Sequence, residues 1–554
     1  MSFSIGNYLQ SLMSAASSEF HFLWICTSTI FLYALFCIVL FVAITKKWKS
    51  LPDVLFILLA SLLIVVFRLP SLVYGESNPD ESQWLASVIT MRHGLYDYFR
   101  DFYIYDFSRA MTIAPLWIVS LLGFSLDYAL AKLVGVMCWI IFLWGYFFFI
   151  KDCFGKKTAL LAGSIVAVFL ATFISPDYVA YNSETPAVAL VSVFLFFFNR
   201  SYLRSGKNSF VLSFVSGLML SLVFFAKEQS AYIVGGLGVI CCLTFFLQKA
   251  YLKILYFFAG GLLCGVLFIT PFFIFNKSFV LVDWIRQTTN YLSLGLNFNH
   301  LKWSERLSFS YLEESVYFYT IPIYFLIVLV VIGNRRLFDW IRTKENFIPV
   351  SLISTLYAAS FYTIMSPVDF FQHYILYFIL PTACIIALCI RVALLINHQM
   401  TMAICVSMVF LLIAKHGLDE LDIQFNPSKK IVAKSVLAKE ILKYSQPGDN
   451  MLVWGWDCKL YVDTNLVRGS RYWYNQLLSP IYPVDFRNEV VKKYEQDFLV
   501  YQPKIVVQIL EGGPVRYARP NIADYPSIGK ILDEKYRLVY KTAVNRIYQR
   551  VALD

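Results

Sequence analysis

DVLFILLASLLIVVFRLPSLVYGESNPDESQW (residues 53–84) runs from an apolar stretch straight into a cluster of acids. Its first part, 53–74, carries only Asp53 and Arg68 as charges. A helix of about 20 such residues, rising about 1.5 Å each, crosses the roughly 30 Å of a bilayer's hydrocarbon. Asn78-Pro79-Asp80-Glu81 follows at once. Proline suits a first helical position, and acids suit a helix N-terminus, so this is by itself an ordinary acidic helix start. Its location adds meaning. Carboxylates emerging at headgroup depth beside a span can act as general bases toward a hydroxyl brought to the membrane surface.

Working outward, eleven further apolar runs occur at 22–44, 127–150, 158–175, 185–198, 209–226, 230–248, 254–275, 316–333, 347–365, 372–390 and 399–416. The run at 185–198 is short, and 113–124 is too short to span and reads as an interfacial or re-entrant helix. About twelve transmembrane helices are therefore expected. Composition agrees: 58% of residues are hydrophobic and 15% charged, against about 25% charged in soluble chains. The net charge of +11 does not signal nucleic acid, because the Lys and Arg lie in short clusters between spans rather than on one patch.

Those clusters set the orientation. Lys46, Lys47 and Lys49, then residues around 151–157, 200–207, 249–253 and 335–344, and Arg391, place sixteen positive charges in alternate loops. Basic short loops stay cytoplasmic. Both termini and the long loops 75–112 and 276–315 then lie on the outer face. Long irregular loops in compact proteins are usually functional, which puts any chemistry outside.

The first outer loop also holds Arg100, Asp101 and Arg109 among Tyr and Phe residues. Glu184, Lys227, Gln229, Gln372 and His373 fall at span ends on the same face. Each has a bland alternative, since Lys snorkels at helix ends and a single His at a helix start is more often structural. Their convergence argues otherwise. Ionisable groups at membrane depth are costly unless they face a cavity.

From residue 419 the pattern changes to short apolar strands, NMLVWGW (450–456) and KIVVQIL (504–510), alternating with helices at 431–444 and near 526–534. That predicts a soluble α/β domain over 419–554, after a membrane domain over 1–418. Its aromatic cluster Trp454, Trp456, Tyr461, Tyr472 and Trp473 suits a glycan surface or a packed core. Of eleven Cys, ten lie in apolar runs or a basic loop and only Cys458 in the tail; no spacing suggests a metal site. The first twenty residues lack a basic n-region, so no cleaved signal peptide is expected. No P-loop, Gly-x-Gly-x-x-Gly or nucleophile elbow is present.

Read in order, these motifs resemble the bacterial polyprenol-dependent membrane glycosyltransferases of the GT-C type, relatives of protein O-mannosyltransferases and lipid A aminoarabinose transferase. Asp80-Glu81 is similar to that family's acidic pair, FRDF (99–102) to its Tyr-Arg-Asp-Phe, and APLWIVSLLGFS (114–125) to its Pro-Pro-Leu interfacial helix. CFGKKTALLAG (153–163), YNSETPA (181–187), FAKEQSAYI (225–233), DFFQHYILYFILP (369–381) and VWGWDCKLYVDTNLVRGSRY (453–472) follow at matching places. Two features depart from the family: Ile-Ala-Pro-Leu stands where His-Pro-Pro-Leu is usual, and the span 22–44 precedes the helix that normally leads to the acidic pair.

The resemblance implies an inverting transfer of sugar from a polyprenyl-phosphate donor to a glycan, lipid or protein acceptor. It implies a bacterial inner-membrane protein with its C-terminal domain periplasmic. It casts Asp80 as general base with Glu81 orienting, and Lys227, His373, Arg100 and Arg109 as donor-phosphate ligands. Asp101, Glu184, Gln229 and Gln372 would bind substrate. No metal ligand set is assigned, although a divalent cation stays open. Two other readings remain at this stage, an O-antigen-type polymerase or ligase, and a non-enzymatic lipid or sugar transporter.

Overall fold

Long apolar helices pack side by side and carry a small mixed sheet at one end. The computed structural model describes residues 17–45, 47–173, 176–282, 284, 285, 340, 343–367, 371–395, 435–480, 482–510 and 521–551. In chain order the helices are α1 (Ser17–Ile44), α2 (Asp53–Arg68), α3 (Pro79–His93), α4 (Ala110–Ser120), α5 (Tyr128–Phe154) and α6 (Lys156–Thr172). They continue with α7 (Glu184–Leu203), α8 (Lys207–Phe224), α9 (Ala231–Leu247), α10 (Tyr251–Ile274), α11 (Lys344–Met365) and α12 (Ile379–Leu395). Among the described residues, eight helices are long and apolar enough to cross a membrane. The chain is a multi-pass membrane protein. The expected spans at 316–333 and 399–416 lie outside the described residues.

Burial sorts the helices. Every residue of α6 from Thr158 to Thr172 is buried, as a helix apolar on all sides must be at the centre of a bundle. On α10, Leu252, Leu255, Leu262 and Leu267 are exposed, which is where lipid would lie. Close approach of α8 to α10 depends on missing side chains: a Cβ on Gly217 or Gly260 would overlap the carbonyl oxygen of Phe257 or Phe214, the small-residue packing typical of membrane helices. The run expected to be short at 185–198 is the first part of the 20-residue α7. Its polar end continues the helix because Arg200 reaches Asp152 (2.9 Å) and lies over the Phe196 ring (4.2 Å).

At the far end of α2, buried Arg68 donates to the carbonyls of Leu170 (2.9 Å) and Tyr178 (3.2 Å). This pins the segment 176–183 beside the start of α3. The interfacial or re-entrant helix expected at 113–124 overlaps the 11-residue α4. It is fastened to the end of α8 by Met111 N–H to Phe225 O (2.8 Å) and Thr112 Oγ1 to Ala226 O (2.9 Å).

The C-terminal region forms a five-stranded sheet from β1 (Asn450–Trp454), β2 (Val467–Arg468), β3 (Ile505–Ile509), β4 (Tyr536–Lys541) and β5 (Asn545–Arg550), in the order β2-β1-β3-β5-β4. β1 runs parallel to β2 and β3, while β5 is antiparallel to β3 and β4. β3 is buried throughout and β1 from Met451 on, as central strands covered on both faces should be. The helix Val484–Val500 packs Val490, Tyr494 and Phe498 against Trp454 and Val506. That helix escaped the sequence reading because its exposed faces are charged. β5 escaped it because Asn545–Arg550 has one fully buried position, Ile547.

Candidate active site

Asp80 owes its place to α3's N-terminus. Asn78 caps that helix, its side chain accepting the Asp80 N–H (2.9 Å), and Pro79 occupies the first turn. The Asp80 Oδ2 then stands 3.8 Å from His373 Nε2. His373 lies on the short 3-10 turn Gln372–Phe378 that leads into α12. Its Nε2 is also 3.9 Å from Glu184 Oε1, and its Nδ1 is 3.8 Å from Asp177 Oδ1 and 3.3 Å from Asn78 Nδ2. The Asn78 amide also donates to Asp177 (2.6 Å).

Lys227 closes the cluster. Its ammonium pairs with Glu184, which is wholly buried, and sits over the Tyr374 ring (4.4 Å to the centroid). Next to it, Arg109 pairs with Glu228. Burial pushes the Arg109 pKa down, while the negative charges of Asp80 and Glu184 resist that shift; a guanidinium stays charged regardless. Three carboxylates, Asp80, Asp177 and Glu184, thus surround the His373 imidazole and the Lys227 ammonium, with the Arg109–Glu228 pair at the edge.

The other expected site residues lie elsewhere. Glu81 adjoins Asp80 in sequence but is completely buried, bonded to Lys132 (3.3 Å) and accepting the backbone N–H groups of Ser77 (2.8 Å) and Tyr181 (3.1 Å). Its carboxylate braces the loop rather than facing the cluster, because neighbours on a helix point about 100° apart. Arg100 and Asp101 pair with each other (2.6 Å), and Lys277 joins Asp101 (3.2 Å), forming a group separate from His373. Gln229 donates to the Thr363 carbonyl (2.7 Å) at the end of α11. The Gln372 side chain lies outside the described residues.

Asn78, Asp177 and Glu228 were not anticipated as site residues. Asn78 could have been found as the residue preceding Pro79 in an N-cap position; Asp177 carries no sequence signal beyond following Pro176.

Asp80, Glu184 and His373 offer donor atoms within 4.8 Å of one another. Two carboxylates and an imidazole are a donor set that suits zinc or manganese. These residues fit such an ion, provided Lys227 leaves Glu184 and Nε2 gives up its hydrogen. With the imidazole neutral, Nδ1 can accept from the Asn78 amide, and the ring hydrogen then sits on Nε2, toward the carboxylates.

The helical bundle with its C-terminal mixed sheet has the GT-C fold of known membrane glycosyltransferases. Two solved structures carry the likeness. One is ArnT from Cupriavidus metallidurans bound to undecaprenyl phosphate, with a TM-score of 0.52 and 11% identity, covering 92% of this chain and 99% of that one. The other is the Archaeoglobus fulgidus oligosaccharyltransferase in complex with Zn and sulfate, with a TM-score of 0.50 and 11% identity, covering 89% of this chain and 73% of that one. No family model matches the chain, and no curated protein sequence does.

Proposed function

We propose that the chain is an inverting glycosyltransferase, moving a sugar from a polyprenyl-phosphate donor to an acceptor hydroxyl at the outer face of a bacterial inner membrane. The observation that carries this is one cluster that brings the Asp80 carboxylate to the His373 imidazole and, through Glu184, to the Lys227 ammonium. The shared fold includes a protein crystallised with undecaprenyl phosphate, the leaving group such a donor would release.

In this scheme Asp80 takes the proton of the acceptor hydroxyl as its oxygen bonds to the sugar's anomeric carbon. The bond from that carbon to the phosphate oxygen breaks from the opposite face, with its electron pair passing to phosphate. Lys227, His373 and Arg109 stabilise the charge that develops there, which is the main task in such a transfer. Where a divalent cation is bound by Asp80, Glu184 and His373, it would supply the same stabilisation. Asp177 and Asn78 hold the imidazole in place from its other nitrogen.

Two measurements test the reading. The purified chain in lipid nanodiscs should bind undecaprenyl phosphate saturably. Deleting the gene should remove one envelope glycan, restored by the wild-type gene and not by Asp80→Asn. Absence of saturable binding, or full restoration by the Asn variant, would sink it.

A further inference from the structure

α3 carries more than Asp80. On the face that begins with Asp80, one turn after another meets the C-terminal domain. Gln83 Nε2 donates to the Tyr474 hydroxyl (3.3 Å), and Ala86 is part of that domain's apolar core. The Ser87 hydroxyl accepts from Trp473 Nε1 (3.1 Å), and the Thr90 hydroxyl accepts the Arg468 N–H (3.3 Å). Positions 83, 87 and 90 form one helical stripe, so the docked surface runs without a break up to the turn that holds the carboxylate.

The docking is anchored by charge. Arg468 is completely buried and bonds Asp106 (2.6 Å), which also accepts from Tyr98 (2.9 Å), and its guanidinium lies 4.9 Å from the Phe102 ring centroid. Removing one partner of such a buried pair is strongly destabilising, so the domain is held firmly against this loop.

Tyr474 is in turn fixed by its own domain. Its ring stacks on Trp456 (4.3 Å between centroids), and its carbonyl accepts the Tyr494 hydroxyl (3.0 Å). Gln83 Nε2 has two hydrogens. It lies 3.3 Å from the Tyr474 oxygen and 3.4 Å from Asp80 Oδ1. One oxygen of Asp80 is therefore tethered toward the outer domain, and the other, Oδ2, is the one that faces His373.

We propose that Tyr474 is a positioning residue for Asp80, acting through Gln83, which makes the C-terminal domain a working part of the catalytic centre. This rests on the glycosyl-transfer reading above. It gives the outer domain a task beyond covering the site: a carboxylate free to rotate would spend part of its time with neither oxygen toward the acceptor, and misplacement by about 1 Å can cost on the order of 100-fold in rate.

The test uses the full chain and three variants, Tyr474→Phe, Gln83→Leu and the double variant. Phenylalanine keeps the stack on Trp456 and removes only the hydroxyl. Each single variant should keep the wild-type melting temperature and undecaprenyl-phosphate affinity yet restore roughly one-tenth of the missing glycan in the deletion strain. The double variant should be no worse than either single one, as two links of one chain must be. Full restoration by both single variants overturns the proposal while the parent reading stands. Multiplying losses in the double variant also overturn it, since the two residues then act separately. A wild-type protein blind to undecaprenyl phosphate overturns the parent reading and this one with it.

Discussion

His373 Nε2 lies 3.8 Å from Asp80 Oδ2 and 3.9 Å from Glu184 Oε1, so one imidazole spans carboxylates drawn from α3 and α7. At such separations in a buried setting a charged imidazole couples to both acids by direct electrostatics. Replacing His373 with Gln takes the imidazole from between the two acids and, in the proposed scheme, a donor from the leaving phosphate. Transfer is expected to fall by roughly 100-fold, with a smaller loss of undecaprenyl-phosphate affinity, measured as glycan restored against nanodisc binding.

Glu228 is paired with Arg109. A phosphate arriving at Arg109 must displace that carboxylate, because a guanidinium fork suits either anion. Glu228→Gln should thus tighten undecaprenyl-phosphate binding by roughly 3- to 10-fold, whereas Arg109→Gln should weaken it. Equal affinities in the two variants would count against Arg109 as a phosphate ligand.

Glu81 and Lys132 are both completely shielded from solvent. Removing one partner strands the other, at a cost of about 3–5 kcal/mol. Glu81→Ala should lower the melting temperature and the yield of folded protein sharply. The paired change Glu81→Gln with Lys132→Met should recover much of the loss. An unaltered melting temperature in Glu81→Ala, with activity lost, would instead return Glu81 to the chemistry.

Burial pushes the Glu76 carboxyl up to about 7 with the charge of Asp457 adding to it, and burial likewise raises Asp457 to about 6. The folded chain then holds the Glu76 proton more tightly than the unfolded chain, whose value is near 4.5. By linkage, stability from this group is greatest below the unfolded pKa and declines as pH rises through the folded one. Glu76→Gln, permanently neutral, should melt above wild type at about pH 8 and match it near about pH 4. Thermal melts across that range decide it.

Chelation separates two sources of positive charge. With Lys227 already on Glu184, transfer should survive exhaustive treatment with a chelator, while Lys227→Met should lose about 100-fold or more. Loss on chelation, reversed by zinc or manganese, would assign the Asp80, Glu184 and His373 donors to a cation instead.

Much of the candidate cluster is legible in the sequence. Asp80, Glu184, Lys227 and His373 were each marked as charges at span ends on one face, and the structure brings these four together. Glu81 shows where pattern reading stops. Two adjacent acids look like one functional pair, yet the helical rotation between them sends one toward the cluster and the other to Lys132. Arg100 and Asp101 were drawn in by loop membership, and their own pairing with Lys277 takes them elsewhere.

The sequence by itself determined that the chain lives in a membrane, where eight of its long apolar helices lie, and that a strand-bearing region follows them, because hydrophobic length and periodicity are local properties written into consecutive residues. Which charges share a pocket was left to the tertiary structure. Asp177 reaches His373, and Tyr474 reaches Gln83, across gaps in sequence of 196 and 391 residues. Contacts of that range depend on how whole helices and a sheet dock, and no short stretch of sequence encodes the docking.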